Sequence, residues 1–185
     1  QTCALPISAT WSVLNGAGTY GSLSVDTTGK WTYTLNNSSS NVQSLAQGET
    51  VQDTFSVKVT DDKGAVTTQT VTVNILGTND VPVLVGHDNG TLQEDTTLTA
   101  SGTMTVTDPD HGATSTWSVV GSGIGTYGSL AVDSSGTWTY TLNNGAANVQ
   151  ALAQGETVTE TFTIQDTDDK GGVGTKVRSE EHTSE

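Results

Sequence analysis

The chain repeats itself at the length of a domain, and this limits its fold more than any other property. Residues 20–66 match residues 127–173 at 32 of 47 positions, at an offset of 107. YGSLSVDTTGKWTYTLNN is answered by YGSLAVDSSGTWTYTLNN, NVQSLAQGETVQDTF by NVQALAQGETVTETF, and TDDKG recurs unchanged. Upstream, Trp11-Ser12-Val13 answers Trp117-Ser118-Val119 at an offset of 106, so the glycine-rich loop between carries one extra residue in the second copy. The period is longer than that of the short helical and leucine-rich solenoids. A period of this size describes tandem domains, each with its own core.

Within each copy the residues alternate with a period of two. Trp31, Tyr33 and Leu35 alternate with threonines, as do Trp138, Tyr140 and Leu142; Phe55, Val57 and Val59, then Val71, Val73 and Ile75, then Met104 and Val106 follow the same rule. Such alternation puts one row in a core and leaves a threonine face in water, where a β-branched side chain suits the pleat. Asp26-Thr-Thr-Gly29 and Asp133-Ser-Ser-Gly136 are hairpin turns, with glycine supplying the positive φ. Residues 41–46 and 148–153 have room for one helical turn each. About seven short strands per ~100 residues predict an all-β fold of immunoglobulin-like sandwiches. In the second copy the strands fall at 81–85, 103–107, 116–120, 129–132, 138–142, 158–164 and from 173. The first copy starts at its third strand (10–14) and runs through its seventh (70–75). It is therefore truncated at its N-terminus, and the second at its C-terminus.

Residues 1–7 (QTCALPI) and 178–185 (RSEEHTSE) break this composition. Both resemble translated short-read sequencing adaptors, and both are set aside from the fold. The expected organisation is an adaptor-like 1–7, a partial sandwich at 8–78 (third to seventh strands), a sandwich at 79–177 (first six strands, the seventh incomplete) and an adaptor-like 178–185. The last segment is expected to be unpacked. The only cysteine, Cys3, and the only arginine, Arg178, lie in these ends. No disulfide, thiol nucleophile or cysteine metal site is then available.

Charge narrows the function. Acidic residues number 20 against 6 basic, for a net charge of −14, which opposes binding to a phosphate backbone. No apolar run approaches the ~20 residues of a membrane span. His87 and His111 stand alone, with no nucleophile at motif spacing, and no GxSxG, HExxH or Walker loop occurs. No enzyme activity is expected.

Strand polarity gathers the carboxylates instead. If adjacent strands alternate in direction, the loop Asp108-Pro109-Asp110-His111-Gly112, the turn at Asp168-Asp169 and the linker Asn79-Asp80 share one end of the second sandwich. The loop carrying Glu49 faces the linker from the first. Like charges so gathered repel unless a cation lies among them. Ca²⁺, which takes six to eight oxygens at ~2.3–2.6 Å in irregular geometry, fits better than Mg²⁺ or Zn²⁺. The alternative is that acidic loops merely solvate the surface. Asp166 is a local conflict, because it stands where the first copy has Val59 on an inward row: either a further cation ligand or a strand end fraying into water.

The run GTLQED, SGTMTVTDPDHG, GTYGSLAVDSSGTWTYTLNN, VQALAQGETVTETFTIQDTDDKG and GTND resembles the VCBS repeat of very large bacterial surface and secreted proteins. The same elements are similar to a cadherin repeat: Asn79-Asp80-Val81-Pro82 to its linker, Asp108-Pro109-Asp110 to its DxD. The resemblance implies Glu49, Asn79, Asp80, Asp108, Asp110 and Asp168 as calcium ligands. The linker is less acidic than the cadherin pattern and Glu49 lacks an adjacent Asp-Arg, which implies fewer than three ions. It also implies a structural spacer repeat of an RTX-type adhesin at the bacterial cell surface, in biofilm and cell adhesion, exported by type I secretion. Its partners would be neighbouring repeats of the same chain, and surface or matrix components bound through other domains of the parent protein. The alternative is a carbohydrate-binding module of a secreted enzyme, using Tyr20, Tyr127 or a sheet face as platform. A row of exposed aromatics would mark that case. Trp11 and Trp117 are expected to pack in the cores.

Overall fold

The alternation of the sequence is realised in strands throughout. The structure, a computed structural model, describes residues 8–87 and 89–184. Residues 1–7, expected to be foreign, lie outside the described residues. The fold is all-β, a tandem pair of immunoglobulin-like sandwich units, and contacts divide the chain into Gln1–Asn79 and Asp80–Glu185. Among the described residues no helix is long and apolar enough to cross a membrane.

The first unit runs β1 (Ala9–Val13), β2 (Gly21–Val25), β3 (Trp31–Leu35), the single turn α1 (Ser40–Gln43), β4 (Thr50–Asp61) and β5 (Val66–Leu76). The order β1-β4-β5 makes one antiparallel sheet and β2-β3 a second. The hairpin turn forms at Asp26, whose Oδ1 accepts from the amides of Thr28 and Lys30 while Gly29 takes φ +87°. Inward residues Leu23, Phe55 and Val57 make the core, and Trp11, Val13, Val25, Tyr33 and Val71 pack on it.

The second unit runs β6 (Val83–Gly86), β7 (Asn89–Gln93), β8 (Thr99–Thr107), β9 (Ser115–Val119), β10 (Gly128–Val132), β11 (Thr137–Leu142), the turn α2 (Ala147–Gln150), β12 (Thr157–Asp168) and β13 (Val173–Thr183). Two four-stranded sheets, β10-β11-β8-β6 and β7-β13-β12-β9, face each other. Leu84, Leu92, Met104, Leu130, Trp138, Tyr140, Leu142, Val149, Phe162 and Ile164 fill the space between. β7 was not expected, and it pairs in parallel with β13, Asn89 opposite Ser179 through Gln93 opposite Thr183.

The expectation for residues 178–185 is corrected. β13 continues through Thr183 in register with β12, and Arg178, Glu180, His182 and Ser184 are buried. Alternation is the reason: once Val173 starts the strand opposite Thr167, every second residue is carried inward whatever its chemistry. Glu185 lies outside the described residues.

The same strand fares differently in the two units. In the second, β8 pairs with β11 and covers its row, and Gly102 stands opposite Trp138. A Cβ on Gly102 would sit 2.5 Å from the indole, so only glycine admits the ring there. Trp138 is 2% exposed and Leu142 4%. In the first unit β3 pairs with β2 alone, and Trp31 and Leu35 are 48% and 38% exposed. A large apolar side chain left in water forfeits roughly 1.5–3 kcal/mol. The first unit is therefore expected to be the weaker. Hydrogen exchange checks it: amides of Trp31–Leu35 should exchange faster than those of residues 138–142, and equal protection would refute it.

Candidate cation site

Three segments of the second unit bring carboxylates together. The chain enters the unit at Asp80, whose amide donates to Asp110 Oδ2 at 3.0 Å. The β8–β9 loop folds on itself, the Asp110 amide donating to Asp108 Oδ1 at 2.9 Å. At the β12–β13 turn, Asp168 Oδ1 accepts from the amides of Lys170 (2.7 Å) and Gly172 (2.9 Å). Asp61 holds the corresponding turn of the first unit with the same bonds, to Lys63 and Ala65. Asp168 thus has a turn-forming duty in addition to any ligating one.

These bonds occupy one oxygen each on Asp108 and Asp110. Asp108 Oδ2 and Asp110 Oδ1 are buried and accept no hydrogen bond. A buried carboxylate oxygen without a donor is costly unless a cation or a water meets it.

Asp166, on the inward row of β12 opposite Trp117, is fully buried, so the strand does not fray there. Burial pushes its carboxyl pKa up, and the neighbouring charges of Asp168 and Asp108 push it further; Ser115 and the Thr116 amide oppose this in part. Neither of its oxygens has a hydrogen-bond partner of good geometry. The cation that reaches this pole is Lys170, paired with Asp169 at 2.6 Å and held above the usual lysine pKa by Asp169 first, then Asp168 and Asp110.

The donor set suits a hard, flexible cation, being carboxylate oxygens with neither sulfur nor an inward imidazole. His111 is exposed in the loop. Among the described residues no three His, Cys, Asp or Glu side chains stand in ligating geometry.

Glu49 and Asn79 belong to the first unit. Glu49 Oε2 accepts from the Ala46 amide at 3.2 Å, and its own carbonyl accepts from Gly77. Glu156 makes the equivalent side-chain bond to Ala153 at 2.9 Å, so loop closure is a shared role of this glutamate. Asn79 is half-buried at the end of the unit.

A different pair of acids escaped the sequence reading. Asp53 in β4 and Glu160 in β12 point into the cores. Asp53 accepts from the amides of Thr19, Tyr20 and Gly21 and from the Tyr33 hydroxyl, at 2.8–3.1 Å. Glu160 accepts from the Thr126 and Tyr127 amides and from the Tyr140 hydroxyl. Both pin the glycine-rich loop to the sandwich. The signal was present: an acid recurs at the same inward position of both copies, two residues before Phe55 and Phe162.

The aromatics are placed by packing. Trp11 and Trp117 lie half-buried against the two cores. Tyr127 also packs on its core, edge-on to His182 at 5.4 Å, and Tyr20 is half-buried.

A family model described as a bacterial cadherin-like domain matches residues 7–77 and again 79–179. No curated protein sequence matches. Among solved structures, Drosophila N-cadherin EC1-4 aligns at a TM-score of 0.54 and 14% identity, over 96% of this chain and 42% of that one. Mouse cadherin-23 EC22-24 aligns at 0.53 and 17%, over 96% and 54%. The chain spans about half the length of these neighbours, and at such identities the likeness is one of fold.

Proposed function

Because the chain belongs to the bacterial cadherin-like domain family, we propose that it is a pair of structural spacer repeats, of the VCBS type, from a large secreted or cell-surface bacterial adhesin, rigidified by calcium at the linker. Asp80, Asp108, Asp110 and Asp168 are the ligands offered by the second unit, with Asn79 and Glu49 as candidates from the first. The observation that carries this reading is the pair of buried oxygens, Asp108 Oδ2 and Asp110 Oδ1, that accept no hydrogen bond beside further carboxylates. The role is mechanical rather than enzymatic, exerted outside the cell on neighbouring repeats of the same chain. Export by type I secretion agrees with it: an acidic chain without structural cysteines gains its counter-ion only outside. The packing of Tyr127 on its core favours this over a carbohydrate-binding module, which needs exposed rings. Residues 178–185 remain, on this reading, foreign to the natural chain, and the polar residues on the inward positions of β13 support that.

Calcium should bind with an affinity on the order of 10⁻⁴–10⁻³ M, as extracellular modules do. At tenfold excess over Kd the gain is about 1.4 kcal/mol, a shift of a few degrees in melting temperature. The double replacement Asp108→Ala/Asp110→Ala should abolish both heat and shift. Calorimetry showing no heat at millimolar Ca²⁺ overturns the proposal.

A further inference from the structure

Asp166 sits two residues before Asp168 on the inward row of β12, where the first unit carries Val59. It is 0% exposed; Ser115 and the Thr116 amide reach it, but neither oxygen has a hydrogen-bond partner of good geometry. The groups that face it are Asp168 from its own strand, Asp108 from the β8–β9 loop, and Ser115 and Thr116 from β9. None of these is a cation, and the Lys170 ammonium is paired with Asp169 at 2.6 Å. Solvation is closed to it by burial. A divalent ion held jointly with Asp108 and Asp168 satisfies both oxygens and cancels the repulsion together.

We propose that Asp166 is a calcium ligand peculiar to the second unit, joining Asp108 and Asp168 in a site built within that unit alone. The proposal rests on the calcium reading above and adds to it a residue that makes the two repeats unequal. The first unit, with valine at this position, lacks the extra charge. An additional carboxylate raises affinity by adding both charge and ligand.

The test uses the full chain, CaCl₂ as the probe, and two variants. Asp166→Asn keeps the shape and removes the charge; Asp166→Val installs the residue the first unit already tolerates. Titration calorimetry should show Asp166→Asn binding calcium on the order of tenfold more weakly than the parent. Without calcium, Asp166→Val should melt higher than the parent, because a buried unpaired carboxylate is gone, and its rise on adding calcium should be smaller. A higher melting temperature without calcium together with a smaller rise on adding it distinguishes ligation from packing alone. Equal binding by Asp166→Asn, or a lower calcium-free melting temperature of Asp166→Val, overturns the assignment while the other ligands stand. If the parent itself takes up no calcium, the broader reading falls and this one with it.

Discussion

Replacing Arg178, Glu180 and His182 by Val, Val and Ile should stabilise the second unit by about 1–4 kcal/mol, the range seen when buried ionic groups give way to apolar ones of suitable size. These are the residues of the first unit at the same strand positions, Val71, Val73 and Ile75. In β13 the three polar side chains occupy the inward row. Arg178 pairs with Glu180, both fully buried, and its guanidinium carbon lies 3.0 Å from the centre of the Trp138 ring. His182 stacks on Tyr140 at 5.2 Å, and neither ring nitrogen has a hydrogen-bond partner. Burial pushes Glu180 up, against the pull of Arg178, and pushes His182 down from its ordinary 6.5, against the pull of Glu160. The sign for His182 follows: its folded pKa lies below its unfolded one, so stability is full above pH 6.5 and declines as pH falls through the folded value. The triple variant should lose that acid-side decline. Urea denaturation at pH 5.5 and 7.5 checks both arms, and a variant less stable than the parent at both would show that the polar row is adapted to its site.

Asp53→Ala should cost the first unit at least about 3 kcal/mol, because three amides and the Tyr33 hydroxyl lose their acceptor at once, and each buried donor left unpaired costs ~1–3 kcal/mol. For a unit with β3 covered on one edge only, that loss should abolish cooperative unfolding. Asp53→Asn should fare little better, since its amide group is a donor aimed among donors. Burial by itself would raise the Asp53 pKa, but the Tyr33 hydroxyl and the three amides outweigh it and the pKa falls below its ordinary 3.8. The linkage has the carboxylate sign: the contribution is present above the unfolded pKa and is lost as pH falls below about 3.8 and through the folded value. Thermal melts of the parent and Asp53→Asn between pH 3 and 7 read this directly. A variant melting within a degree of the parent at pH 7 would refute the argument.

Strands announced by alternating bulky residues were legible: Trp31 to Leu35, Trp138 to Leu142 and Phe55 to Val59 all lie in strands, although Trp31 and Leu35 stay exposed where the first unit leaves β3 uncovered. β7 was not, because Asn89, Gly90, Thr91 and Gln93 surround a single apolar Leu92, and its partner is far along the chain. Composition misled at the C-terminus, since polar residues there are held inward by the register of a strand begun at Val173. At the candidate site, strand polarity anticipated that the linker at Asp80 meets the Asp108–Asp110 loop. Asp53 and Glu160 were overlooked because an acid in a strand is usually read as a solvent-facing position, and only its neighbouring loop, folded over it, supplies the donors. The meeting of a carboxylate with amides more than thirty residues away is a property of packing, which no local pattern records.

The parallel pairing of β7 with β13 has a mechanical consequence. Tension applied at the start of β7 and the end of β13 draws these two strands past each other along their length. The bonds from Asn89–Gln93 to Ser179–Thr183 then lie across the direction of pull and bear it together, as a lap joint does, instead of opening one after another. A sandwich closed in this way yields late and abruptly under load, and since Ser179–Thr183 belong to the segment read above as foreign, the joint is a property of this chain rather than of a natural repeat.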